Sequence, residues 1–150
     1  MNEDFQDILA TLLEAGARFL VVGAHAMAVH GVPRATGDLD IWIEPTADNV
    51  EQVWSALVRF GAPVESLGIS LQDFLKPGSV IQIGVPPRRI DILTDITGVD
   101  FKSAWESRAV HSVEDLRVPF VGRETLVQNK QATGRLKDLA DLEALEEKES

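Results

Sequence analysis

The sequence predicts an α+β protein, a small mixed β-sheet with helices packed on it. Three observations predict it: apolar stripes at helical spacing, short apolar runs of strand length, and the interleaved order of the two. The stripes are Phe5, Ile8, Leu9, Leu12 and Leu13 in residues 4–15, and Val50, Val53, Trp54, Leu57 and Val58 in residues 46–60. The clearest runs are residues 18–22 and 39–43.

Taken in order, residues 4–15 form a helix that Gly16 ends. Residues 18–22 form a buried strand ending at Gly23, and residues 24–30 begin a helix closed by Gly31 and Pro33. Residues 39–43 are a second strand. Thr46 caps the helix over 46–60, and Asp48 and Glu51 suit its positive end. Residues 70–75 form one short helical turn. Residues 79–84 and 89–94 read as a hairpin around Val-Pro-Pro-Arg. A short helix over 101–107 carries Phe101 and Trp105, and residues 108–121 make one or two edge strands. Helices near 123–132 and 136–148 finish a single predicted domain.

Composition narrows the function. The 150 residues suit one domain with its own core. Cysteine is absent, which excludes disulfides and thiolate metal sites. No run reaches the length of a membrane span, and the acidic start lacks a signal peptide, so a cytoplasmic protein with no membrane partner is expected. A net charge of −10 disfavours bulk nonspecific DNA binding. Much of the acid lies in the tail, at Asp138, Asp141, Glu143, Glu146, Glu147 and Glu149, and reads as a solvated helix face.

The chemistry-bearing stretch is Val21-Val22-Gly23-Ala24, thirteen residues, then Asp38-Leu39-Asp40-Ile41. Strand side chains alternate, so Asp38 and Asp40 share one face while Leu39, Ile41 and Ile43 take the other. Adjacent carboxylates repel, and a hard divalent cation relieves that by taking both as oxygen ligands. Asp91, between Ile90 and Ile92, is a third acid in strand-like surroundings. If its strand neighbours the first, three carboxylates converge and can hold metals in the manner of phosphoryl-transfer sites. Gly23-Ala24, where strand turns into helix, offers backbone N–H groups to a phosphate. Bland alternatives stand beside each reading. Asp-x-Asp also marks strand-end turns, Gly23 also suits a plain turn, and Asp91 also suits a pair with Arg88 or Arg89.

Gly23-Ala24, Asp38-Leu39-Asp40 and Ile90-Asp91-Ile92 together resemble the pattern of the nucleotidyltransferase superfamily, with its DNA polymerase beta-like fold. The run from Gly23 to Ile41 and the tail Asn129-Lys130-x-Ala132-x-Gly134-Arg135-x-Lys137-Asp138-Leu139-x-Asp141-Leu142 resemble minimal bacterial enzymes of the abortive-infection type. These are similar to the toxin half of type IV toxin–antitoxin systems. The resemblance implies a nucleotidyltransferase fold. It implies that Asp38, Asp40 and Asp91 ligate magnesium, or manganese in its place, with Asp91 as a candidate base. Lys130, Arg135 and Lys137 would contact the nucleoside triphosphate. The implied reaction moves a nucleoside monophosphate to a hydroxyl on RNA or protein, and an antitoxin or partner protein is implied with it. One departure stands out: Ala24 occupies the family's second glycine or serine position and has no hydroxyl to donate to phosphate. Two rivals remain, a catalytically weak nucleotide-binding module acting through a partner protein and a metal-dependent phosphodiesterase.

Other residues weigh less. Arg34 is a candidate for substrate phosphate, and Thr36 supports the turn before Asp38 while belonging to the same candidate nucleotide site. Lys130, Arg135 and Lys137 can instead balance the acidic last helix. His25 and His30, five apart, do not share a helical face and read as packing groups, as His111 does in an edge strand. Trp42, Trp54 and Trp105 read as core.

Overall fold

The computed structural model describes residues 1–149. Its first helix, α1 (Glu3–Glu14), starts where the Asn2 side chain accepts the Phe5 N–H, and it buries Phe5, Ile8, Leu9 and Leu12. Strand β1 (Phe19–Val22) is buried on both faces, which explains its unbroken apolar run. Helix α2 (Gly23–Val29) follows without a loop. Strand β2 (Asp38–Ile43) runs antiparallel to β1, with Val22 opposite Asp40.

Helix α3 (Ala47–Phe60) has the predicted Thr46 cap and ends at Gly61 in the left-handed region, φ +92°. Its buried Asn49 ties three segments together. The side chain accepts the Arg18 N–H at 2.7 Å and donates to the Arg18 and Glu44 carbonyls, both at 2.9 Å. The turn over Leu71–Leu75 is a 3-10 helix that buries Phe74 against Trp54.

Strands β3 (Val80–Ile83) and β4 (Arg89–Leu93) form the expected hairpin. Beyond it come α4 (Phe101–Glu106), β5 (Ala109–Val113), β6 (Leu116–Phe120), α5 (Arg123–Thr133) and α6 (Leu136–Glu149). One sheet takes all six strands in the order β3-β4-β2-β1-β6-β5. It is mixed: β2 runs parallel to β4 and β1 parallel to β6, while the other pairs are antiparallel.

Two expectations change. Of the two strands within 108–121, β5 lies at an edge of the sheet while β6 lies inside, beside β1. Its Pro119 is tolerated because the ladder to β1 starts beyond it, at Val21 opposite Phe120 and the Val121 N–H to the Val21 carbonyl. The acidic tail is not one solvated face either. Glu143, Glu146 and Glu147 are exposed, but Asp138 and Asp141 are buried. Trp42 is core, set edge-on against Phe101 at 5.0 Å, and Phe101 in turn stacks on Trp105. Among the described residues no helix is long and apolar enough to cross a membrane.

Candidate active site

Period-two alternation puts Asp38, Asp40 and Trp42 on one face of β2 and the buried Leu39, Ile41 and Ile43 on the other. The parallel register then sets Asp40 opposite Asp91 and Asp38 opposite Arg89. Partners in register present their side chains to the same face, so the third acid meets the first pair, as the sequence suggested. Asp91 is 6% exposed.

Electrostatics follow from that crowding. Burial, then the Asp91 carboxylate, pushes the Asp40 carboxyl up to about 6; Asp38 adds to the rise and Arg89 opposes it. Arg89 Nη2 lies 3.0 Å from Asp91 Oδ2 and 3.2 Å from Asp38 Oδ2. The pairing of Asp91 with an arginine and its convergence with the other acids therefore coexist. Asp38 Oδ1 and Asp91 Oδ1 are buried and accept no hydrogen bond.

These orphaned oxygens suit a hard cation, whose ligands are carboxylate oxygens. As the side chains stand, however, no group of three or more His, Asp or Glu among the described residues is spaced to hold a metal ion. The donor chemistry fits a divalent ion, and the arrangement around Arg89 does not yet close on one.

Gly23 is essential to this corner. Its φ is +69°, and a Cβ there would strike Asp40 Oδ2. Gly23 and Asp40 form one wall of a cleft of about 650 Å³; Leu126, Lys130, Arg135 and Lys137 stand on the helical wall. The structure thus brings together Gly23, Asp40, Lys130, Arg135 and Lys137. Ala24, Asp38 and Asp91 do not line the cleft. Arg34 and Thr36 line a separate concavity with His25 and Arg88.

Thr36 plays the turn role, its Oγ1 accepting the Asp38 N–H at 3.1 Å. His25 packs edge-on against Phe5, and burial with the nearby amino terminus holds its imidazole below the ordinary range. His30 Nε2 lies 2.8 Å from the Val121 carbonyl, a structural contact, and His111 packs on Phe120.

Lys130 and Arg135, two of the three cations on the helical wall, already have partners, as does Arg34 nearby. Lys130 Nζ lies 2.8 Å from Asp141 and 3.6 Å from Asp138, Arg34 lies 2.6 Å from the same Asp141, and Arg135 lies 2.7 Å from Asp138. Burial raises the Asp141 carboxyl, but the Lys130 and Arg34 hydrogen bonds outweigh it and hold the group below the usual range. The Arg135 hydrogen bond holds Asp138 well below it. Sequence reasoning missed Asp138 and Asp141 as site residues. Their signal was present in the Lys130, Arg135 and Asp-x-x-Asp spacing, which can set Lys130 on α5 and Arg135 in the turn after it against acids on α6.

A search of solved structures finds the same architecture in a protein of Thermotoga maritima described as "a putative nucleotidyltransferase". The TM-score is 0.60 at 16% identity, over 95% of this chain and 88% of that one. The chain therefore has a nucleotidyltransferase-like fold; at that identity the likeness concerns the fold alone. No protein-family model matches the chain, and no curated protein does.

Proposed function

We propose that this protein is a metal-dependent nucleotidyltransferase, transferring a nucleoside monophosphate from a triphosphate to a hydroxyl of RNA or protein. The observation that carries this reading is the register pairing of Asp40 with Asp91 beside Gly23, at a cleft whose opposite wall is cationic. Asp38, Asp40 and Asp91 would hold magnesium or manganese, and such an ion supplies positive charge to phosphate oxygens. Gly23, with no Cβ, lets the Asp40 carboxylate lie against the turn at the rim of the cleft. Lys130, Arg135 and Lys137 would contact the triphosphate, and Asp91 would be the candidate to accept a proton from the acceptor hydroxyl.

The test is incubation with labelled nucleoside triphosphates, magnesium or manganese, and RNA or protein acceptors. A covalent nucleotide adduct, lost in Asp40→Asn and Asp91→Asn, is the expected result. Absence of any adduct across the four nucleotides and both acceptor classes overturns the reading.

One rival has its own support. Ala24 has no hydroxyl for phosphate, and Lys130 and Arg34 are already held by Asp141. A nucleotide-binding module acting through a partner protein would show binding with no transfer in the same assay. The tail motif's resemblance to type IV toxins supports growth arrest as the cellular outcome. Induced expression checks that, with Asp40→Asn as the inactive control.

A further inference from the structure

Strand β3 forms one edge of the sheet, next to β4, the strand that carries Asp91. The register sets Gln82 opposite Asp91, Asp91 opposite Asp40, and Asp40 opposite Val22. One row therefore crosses the sheet from the cleft at Val22, through both acids, to an exposed glutamine at the edge. The cleft takes in Val22, Gly23 and Asp40 but not Asp91. A nucleotide in the cleft leaves the β3 end of the row for an acceptor to approach.

That edge is open to pairing. The Thr94 N–H donates to the Ser79 carbonyl at 3.1 Å, which makes Ser79 and Thr94 a bonded pair. Bonded and non-bonded pairs alternate along an antiparallel ladder, so Ile81 and Ile83 bond to β4 while the N–H and C=O groups of Val80 and Gln82 point to the free edge. Proteins commonly blunt such an edge with charged side chains, yet residues 77–87 carry no charge. Leu67, Ile69 and Asp73 stand across from residues 79–82 and enclose a groove of about 420 Å³.

We propose that this groove binds the acceptor, and that the acceptor is an extended polypeptide segment added to β3 as a further strand. The inference rests on the transferase reading above and chooses between its two acceptor classes. Strand addition recognises a polypeptide through its main chain. An RNA strand needs cations for its phosphates, and among the described residues the groove offers Asp73 and no cation. The added strand lies about 4.8 Å from β3 and sets alternate side chains on the face of Gln82 and Asp91. A hydroxyl residue opposite Gln82 is two strand spacings from Asp91, roughly 10 Å between Cα atoms, a gap filled by the two side chains and the phosphate between them. The acceptor oxygen bonds the α-phosphorus, the bond to pyrophosphate breaks, and the hydroxyl proton passes to Asp91.

The test incubates the full chain with each of the four labelled nucleoside triphosphates and magnesium or manganese. The acceptor probes are dephosphorylated casein, an unfolded polypeptide rich in hydroxyl side chains, and an oligouridine RNA. Labelled casein is the expected result. Label on RNA alone overturns the proposal and leaves the transferase reading standing, whereas label on neither overturns that reading and this inference with it. Val80→Pro removes an outward N–H while sparing the ladder to β4. It should raise the casein concentration for half-maximal labelling about tenfold, the scale of a lost hydrogen bond. Far-UV circular dichroism checks that the variant folds, and a folded variant that labels casein as wild type does overturns the proposal. A second readout needs no variant. Amide hydrogen exchange at Val80 and Gln82, followed by NMR, should slow on saturation with casein, and unchanged exchange at both overturns the proposal.

Discussion

Asp40 carries the largest electrostatic penalty resolved in the site, so neutralising it should stabilise the metal-free fold. Its carboxyl rises from 3.8 to about 6, through burial first and the Asp91 and Asp38 charges after it. The raised value means that the folded chain binds the proton more tightly than the unfolded one. Between pH 3.8 and about 6 the folded state holds more protons, so stability is full below the window and falls as pH rises through it. The shift is worth about 3 kcal/mol at most, and solvent reaching the cleft lowers that to roughly 1–3 kcal/mol. Asp40→Asn has nearly the same shape and no charge. In a chelator-containing buffer above the window it should be more stable than wild type by that amount, and below the window the difference should vanish. Urea unfolding followed by the fluorescence of Trp42, Trp54 and Trp105 measures both limits. A variant no more stable at neutral pH, or one whose gain persists undiminished in acid, would refute the account of crowded carboxylates.

Further outcomes follow from neighbouring contacts. Gly23→Ala places a methyl group against Asp40 at positive φ and should lower stability by roughly 1–3 kcal/mol, measured by denaturant unfolding. Asn49→Ala removes three hydrogen bonds that tie α3 to Arg18 and Glu44, and should cost about 3 kcal/mol in the same measurement. Asp141→Ala leaves Lys130 and Arg34 without their shared partner and should cost roughly 2–3 kcal/mol at neutral pH. Because the folded Asp141 and Asp138 carboxyls lie below their ordinary value, the stability they contribute is present above it and lost on acidification. Acid unfolding of Asp141→Ala should therefore show a weaker pH dependence at low pH than wild type.

How far the sequence could be read depended on how local each determinant is. The face shared by Asp38 and Asp40 was legible because alternation along one strand decides it, and the Thr46 cap was legible because its partner is three residues away. The meeting of Asp40 with Asp91 could be stated only conditionally. It requires β4, not its hairpin partner β3, to lie beside β2, and no local pattern in either strand decides that. The fate of the acidic tail was misread for the same reason. An acid-rich helix is solvated by default, but the partners of Asp141 are eleven residues away at Lys130 and 107 away at Arg34. Asp138 is tied from next door, by Arg135 three residues before it, and that spacing was visible. Two acids on α6 thus stand buried because Lys130 on α5, Arg135 in the turn before α6 and Arg34 in the loop before β2 neutralise them. The same pairing fixes Lys130 and Arg135 at the cleft, on the wall opposite Asp40. A ligand carrying both metal and phosphate would meet complementary demands on the two walls, which is the electrostatic basis for reading this cleft as a nucleotide site.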